Sequence, residues 1–312
     1  MGYRNQYFSW YTTKPCLETN VNTLIYSFDG FNWIGLGNST FNFNCYNIMI
    51  ANNQFFAGGS NTSGNNTLAQ SYDGINWNGL GKTIFTTNGG YFVLYDGGKY
   101  IAGGGGINTL AYSYDGKNFI GLGTNTFNNI CSSIAYNKKI YLACGANSSG
   151  NNTLANSYDG INWNGLGKTI FSTACSSVIW NGKMFVMVGN GTNTLAYSYN
   201  GIDIFPSKTS LFANAGQCIT WFKNMFIAGG NANQHNIIYS KDGINWFNYD
   251  SFVTSSMIIY GLTNINNNTA LLLSWRLSTT QGGLAISYDG FNFYNVENTL
   301  LLPNYYKGIS KI

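Results

Sequence analysis

The chain of 312 residues is 44% hydrophobic but only 8% charged, so it can fill a core while its solubility rests on amides and hydroxyls. Its net charge of +4 is scattered and Arg4 and Arg276 are its two arginines, which excludes the clustered basic face that nucleic acid demands. No stretch reaches the roughly 18 consecutive apolar residues of a membrane-crossing helix, and the opening MGYRNQYFSWYTT lacks the apolar core of a signal peptide.

Asn outnumbers even Gly, of which there are 39, while Pro numbers 3. Asn and Gly both tolerate positive φ, so the composition predicts short strands joined by tight turns. In chain order, Arg4–Trp10 (RNQYFSW) matches the later NNQFFAG from Asn52, so the chain is expected to open at a turn into a strand. SFDGFNW follows from Ser27 and recurs as SYDGINW from Ser71, SYDGKNF from Ser113, SYDGINW from Ser157, SYNGIDI from Ser198, SKDGINW from Ser240 and SYDGFNF from Ser287. The intervals of 44, 42, 44, 41, 42 and 47 residues fit a four-stranded unit. Helical repeats of this period are excluded, because the segments alternate with period 2 and are broken by Gly and Asn.

In the second repeat, Cys45–Asn52 reads as strand A, Asn52-Asn53 as a turn, Gln54–Gly59 as strand B, Thr67–Tyr72 as strand C and Ile75–Asn78 as strand D. The A–B turn recurs as Asp96-Gly97, Asn137-Lys138 and Asn181-Gly182. The final YYKGISKI matches strand A of GGYFVLYD and is expected to pair with the N-terminal strands, leaving no open sheet edge. The expected fold is all-β: one seven-bladed propeller of four-stranded antiparallel blades over 1–312. The segments from Ser63 and Ser149, SGNNTLAQSYDGINWNGLGKTIFTT and SGNNTLANSYDGINWNGLGKTIFST, point to an internal duplication.

The motif residues are Ser27, Asp29 and Trp33; Ser71, Asp73 and Trp77; Ser113, Asp115 and Phe119; Ser157, Asp159 and Trp163; Ser240, Asp242 and Trp246; and Ser287, Asp289 and Phe293. The hydroxyl and carboxylate can accept backbone N–H groups of a tight turn whose Gly takes positive φ, and the aromatic can pack between blades. The fifth repeat departs, with Asn200 for Asp and Ile204 for the aromatic, and is expected to be the weakest blade. This pattern resembles the Asp box, S-x-D-x-G-x-x-W, of BNR or sialidase-like propellers, shortened here by one residue. The resemblance covers all seven repeats and implies architecture, not activity. Single carboxylates on separate hairpins cannot converge on one ion, so turn stabilisation is expected rather than calcium binding.

A sialidase site, as that resemblance would have it, needs an arginine triad, and two arginines cannot supply one. Outside the repeat turns and the Asp96 turn, the acids are Glu18, Asp203, Asp250 and Glu297, in different blades, where a glycosidase needs two at a defined separation. His235 is the lone histidine, and Gly103–Gly106 lacks the Lys-Ser/Thr of a phosphate loop. No catalytic residue, cofactor or metal is expected. The six cysteines are read as free thiols in a reducing compartment. Cys45, Cys131, Cys175 and Cys218 open strand A; a thiolate metal cluster is the alternative to small buried residues, and burial is expected.

In a propeller the B–C and D–A loops share one face, and here the B–C loops vary while the turns repeat. Trp10, Lys14, His235, Trp275 and Arg276 are the candidate ligand-binding side chains on that face. The recurring Asn-Thr pairs at Asn22, Asn66, Asn108, Asn152 and Asn193 read either as glycan-contacting amides or, preferably, as strand caps. The expected function is a non-catalytic binding platform for a protein or a glycan. The alternative is a structural component of a larger assembly such as a viral particle, which the low charge and Asn/Ile/Tyr/Phe bias favour; a glycoside hydrolase ranks third. The chain is expected to be cytoplasmic or virion-associated, without membrane insertion, and monomeric unless part of an assembly.

Overall fold

The computed structural model describes residues 22–28, 34–61, 64–86, 89–147, 149–209, 211–231, 236–249, 258–264, 271 and 283–295, and as backbone only 7–10, 265, 270, 272–276, 282 and 309–311. Among them all regular structure is β-strand, and every pairing is antiparallel. β1 (Tyr7–Trp10), β2 (Leu24–Ser27) and β3 (Ile34–Gly35) form one sheet with the final strand, β28 (Ile309–Lys311), in the order β28-β1-β2-β3. Tyr7 lies opposite Lys311 and Ser9 opposite Ile309, so the two end strands are hydrogen-bonded to each other.

Four-stranded meanders follow. The first comprises β4 (Asn44–Ala51), β5 (Gln54–Ser60), β6 (Leu68–Ser71) and β7 (Asn78–Gly79). Next come β8 (Gly89–Tyr95), β9 (Tyr100–Gly105), β10 (Leu110–Ser113) and β11 (Ile120–Gly121), then β12 (Ile130–Tyr136), β13 (Tyr141–Ala146), β14 (Leu154–Ser157) and β15 (Asn164–Gly165). β16 (Ala174–Trp180), β17 (Phe185–Asn190), β18 (Leu195–Ser198) and β19 (Phe205–Pro206) precede β20 (Ala215–Phe222), β21 (Met225–Asn231), β22 (Ile237–Ser240) and β23 (Phe247–Asn248). The last meander is β24 (Ile258–Ile265), β25 (Ala270–Arg276), β26 (Gly282–Ser287) and β27 (Tyr294–Asn295).

The turns between first and second strands follow the sequence reading. Asn52 and Asn53 both adopt positive φ, at 51° and 57°, the twist a two-residue hairpin requires. Where Asp96, Asn137 and Asn181 open the turn, each side chain accepts the N–H groups two and three residues on. The fourth strands are shorter than expected: Asn78–Gly79 replaces Ile75–Asn78. The reason is local, because the Asp73 carboxylate captures the N–H groups of Ile75 and Asn76 and removes them from the ladder.

The apolar core lies between consecutive units. Ile101 and Leu110 of one unit meet Ile134, Tyr141 and Ala143 of the next, with Trp163 packed against them, so the motif aromatic does pack across units. A second device went unread in the sequence. Phe41, Phe85, Phe127 and Phe171 are fully buried and Phe212 nearly so, and each wedges into a notch left by a glycine of the second strand. A Cβ added at Gly59, Gly104, Gly145, Gly189 or Gly230 would stand 2.3–3.0 Å from that ring. One glycine in each of these second strands is therefore a notch for phenylalanine, while Gly58, Gly103 and Gly229 lie against the first strand of the next unit.

Candidate functional site

The repeat turn is a closed hydrogen-bond network. Ser71 Oγ accepts the Gly74 N–H at 2.8 Å and donates to Asp73 Oδ1 at 3.0 Å. Asp73 Oδ1 also accepts the N–H groups of Ile75 and Asn76, while Oδ2 accepts the Asn76 side-chain amide at 2.7 Å. Trp77 Nε1 donates to the Gly74 carbonyl at 2.8 Å. The Ser–Asp–Asn arrangement repeats at Asp115, Asp159, Asp242 and Asp289. The amides of Asn76, Asn118, Asn162, Asn245 and Asn292 are thus motif members that the sequence reading missed, though their fixed place three residues after Asp was visible. Ser27 falls within the described residues, while Asp29 and Trp33 lie outside them.

The fifth repeat keeps the network by exchanging its partners. Asn200 Oδ1 accepts the N–H groups of Ile202 and Asp203, and Asn200 Nδ2 donates to Asp203 Oδ2 at 2.8 Å. Asp203 is therefore a turn residue and not a spare acid, and Ile204 packs against the neighbouring core where the aromatic stands elsewhere. Asn200→Asp is expected to destabilise by about 1 kcal/mol by opposing two carboxylates. Adding Asp203→Asn restores the common order and should recover that loss in denaturant titrations; no recovery would refute the exchange.

The network sets the acid response. Burial alone would raise the carboxyl of Asp73, but the bonds from Asn76, Ile75 and Ser71 outweigh it and lower the pKa to about 2. Burial is likewise outweighed at Asp242 and Asp289, both lowered to about 2. The N–H groups of Asn118 and Lys117 hold Asp115 below the ordinary range. A pKa depressed in the folded state contributes stability that is complete above the unfolded value, about 4, and disappears as pH falls through the folded value. The midpoint of thermal unfolding should therefore hold steady from neutrality to about pH 5 and drop steeply below about pH 4. A midpoint unchanged down to pH 2.5 would contradict the network.

The variable-loop candidates fare unevenly. Lys14 and His235 lie outside the described residues. Trp10 ends β1, with its backbone opposite Leu24. Trp275 and Arg276, placed in a loop by their sequence, instead have their backbone in β25, opposite Gly283 and Gly282 of β26. The ladder there runs further, with the facing strand β26 beginning at Gly282. The side chains of Trp10, Trp275 and Arg276 are outside the described set. The Asn-Thr pairs are caps: Asn22, Asn66, Asn108 and Asn152 accept the N–H groups of Gly37, Gly81, Gly123 and Gly167. Thr23, Thr109 and Thr153 donate to the carbonyls of the wedge residues Phe41, Phe127 and Phe171 at 2.7–2.9 Å.

The cysteines require a correction. Cys144 of β13 and Cys175 of β16 form a disulfide across neighbouring units, with Cα atoms 4.8 Å apart, so the six are not all free thiols. The pairing joins strands of two units, and a separation of 31 residues carries no sequence signal for it. Cys45, Cys131 and Cys218 are free and buried, and burial pushes their thiols up, away from the thiolate a metal would need. Among the described residues no three His, Cys, Asp or Glu side chains gather as metal ligands, and no helix is long and apolar enough to cross a membrane.

Two surfaces remain. Outside, the residue after the motif serine is exposed in repeat after repeat: Phe28, Tyr72, Tyr114, Tyr158, Tyr199 and Tyr288 are 40–67% accessible. Inside, the first strands of the units surround a cavity of about 410 Å³. Each of β4, β8, β12, β16, β20 and β24 carries a β-bulge, and the extra residues are Tyr46, Tyr91, Ser132, Ser176, Gln217 and Tyr260. All six line that cavity. A bulge re-aims one side chain out of the ladder, and these six are partly exposed where their cysteine, glycine or isoleucine predecessors are buried. Tyr46 and Tyr91 stack face to face, 4.5 Å between ring centroids. Among the described lining residues none carries a charge.

No protein-family model and no curated protein matches the chain. Solved structures match its fold. It is similar to the extracellular domain of the hybrid two-component system BT4673 from B. thetaiotaomicron, with a TM-score of 0.59 and 11% identity over 84% of this chain and 34% of that one, so it spans about a third of that length. A chain of a mitotic checkpoint complex matches with a TM-score of 0.53 and 13% identity over 78% of this chain and 73% of its own. A chain of a nidogen/laminin complex matches with a TM-score of 0.51 and 8% identity over 78% of this chain and 93% of its own. Identities this low carry the fold alone: the protein is all-β and propeller-like.

Proposed function

We propose that the chain is a seven-bladed propeller of the Asp-box kind, closed through the β28–β1 pairing, and that it acts as a non-catalytic binding module. The state of its carboxylates carries this reading. Asp73, Asp115, Asp159, Asp242 and Asp289 each already accept two backbone N–H groups, a hydroxyl and an amide, which commits them to holding the scaffold. Recognition then falls to the face of the varied B–C and D–A loops, with Trp10, Lys14, His235, Trp275 and Arg276 as the side chains that meet a protein or a glycan.

A second reading, a subunit of a larger assembly such as a viral particle, is favoured by the exposed tyrosines around the repeats. The Cys144–Cys175 disulfide suits an oxidising particle surface better than a reducing cytosol.

A glycan array, pull-down from the native source and sedimentation test both. Selective binding that Trp10→Ala or Trp275→Ala abolishes, by a monomer, supports the module. Self-association with no captured glycan or protein supports the assembly subunit. Turnover of a glycoside substrate would refute a non-catalytic role.

A further inference from the structure

We propose that the bulge-lined cavity is a binding site for one ring of a neutral saccharide. This rests on the binding-module reading and moves the principal contact from the loop rim to the cavity. A bulge leaves a residue unpaired in the ladder, and here six of them deliver their side chains to one place.

The side chains divide by chemistry. Tyr260 and the Tyr46–Tyr91 stack, whose facing ring surfaces cover each other, line the cavity with aromatic carbon for dispersion contact with the C–H groups of a sugar ring. Ser132, Ser176 and Gln217, on the successive strands β12, β16 and β20, offer hydroxyl and amide groups to its hydroxyls. Ser132 already donates to the Cys175 carbonyl at 2.8 Å and keeps its acceptor lone pairs. The side chains of Ser176 and Gln217 form no hydrogen bond with a described side chain or loop, and both are partly exposed to the cavity, where a ligand can replace their solvent.

The uncharged character of the described lining selects the ligand. A purely apolar molecule would leave Ser176 and Gln217 unsatisfied, and a carboxylated sugar would lose its hydration without meeting a cation among the described lining. The cavity of about 410 Å³ falls in the small-ligand range of roughly 300–1,000 Å³.

The test probes an array of neutral mono- to tetrasaccharides and their sialylated counterparts, followed by titration of the strongest neutral binder into each variant. Gln217→Ala and Ser176→Ala, which break no described protein hydrogen bond, are each expected to weaken binding roughly 3- to 10-fold. Ser176→Trp, which fills the cavity, is expected to abolish it, with circular dichroism and unfolding midpoint reporting that each variant folds. Neutral binding insensitive to all three but lost with Trp10→Ala or Trp275→Ala overturns the cavity site and leaves the module standing. Binding to sialylated glycans alone overturns it, as does capture of a protein partner without any glycan. Absence of every partner overturns both readings together.

Discussion

Phe127→Ala is expected to destabilise the protein by about 3–5 kcal/mol. The ring is fully buried between units, among Ile134, Tyr141 and Ala143. Its surroundings cannot collapse into the vacated space, because Gly145 opposite has no side chain to move and the Phe127 carbonyl is pinned by the Thr109 hydroxyl at 2.9 Å. Phe127→Leu keeps most of the volume and should lose less than half as much. Denaturant titration checks both; a loss under 1 kcal/mol for Phe127→Ala would mean the wedge does not bear on stability.

The converse substitution fills the notch. A Cβ added at Gly145 would lie 2.5 Å from the Ile130 carbonyl oxygen and 2.5 Å from Phe127 Cδ1. One obstacle is a ring that can shift, but the other is the backbone of β12, which is hydrogen-bonded into its unit. Gly145→Ala should therefore destabilise by about 2–3 kcal/mol. It should remain destabilising in a Phe127→Ala background, since the carbonyl stays. Gly98→Ala is the control: its Cβ would meet only Asp96 Oδ1, at 3.7 Å, and its cost should fall within about 0.5 kcal/mol of zero. Equal effects at Gly145 and Gly98 would show that backbone entropy, not the notch, governs these glycines.

The sequence announced what repeats by local rules. Ser-x-Asp-Gly names its own turn because every bond in it is made within six residues, and Asn52-Asn53 does the same for its hairpin. The Phe–Gly wedge was written at the same intervals, each phenylalanine following its motif serine at a constant distance, yet its partner glycine lies in a non-adjacent strand, so neither residue alone betrays the contact. Bulges were illegible for a different reason. In CYNIMI or CSSIAY a one-residue slip leaves the hydrophobic alternation looking merely imperfect, and only the facing strand shows that Tyr46 or Ser132 stands outside the register. The disulfide depends on the juxtaposition of two units, which no local pattern encodes. Loop variability and side-chain chemistry point to the loop-face candidates, whereas the cavity side chains sit within strands, where neither signal singles them out.

The near-identical segments from Ser63 and Ser149 differ at Gln70 and Asn156 and at Thr86 and Ser172, yet the bulged residues soon after them are Tyr91 in one case and Ser176 in the other. A bulged residue takes no part in the ladder, so its identity can change without disturbing the frame that carries it. Copying a unit therefore propagates the architecture faithfully while leaving one position per copy free to be rewritten. A lineage could alter the lining of the cavity one side chain at a time, without risking the ability of the whole to fold.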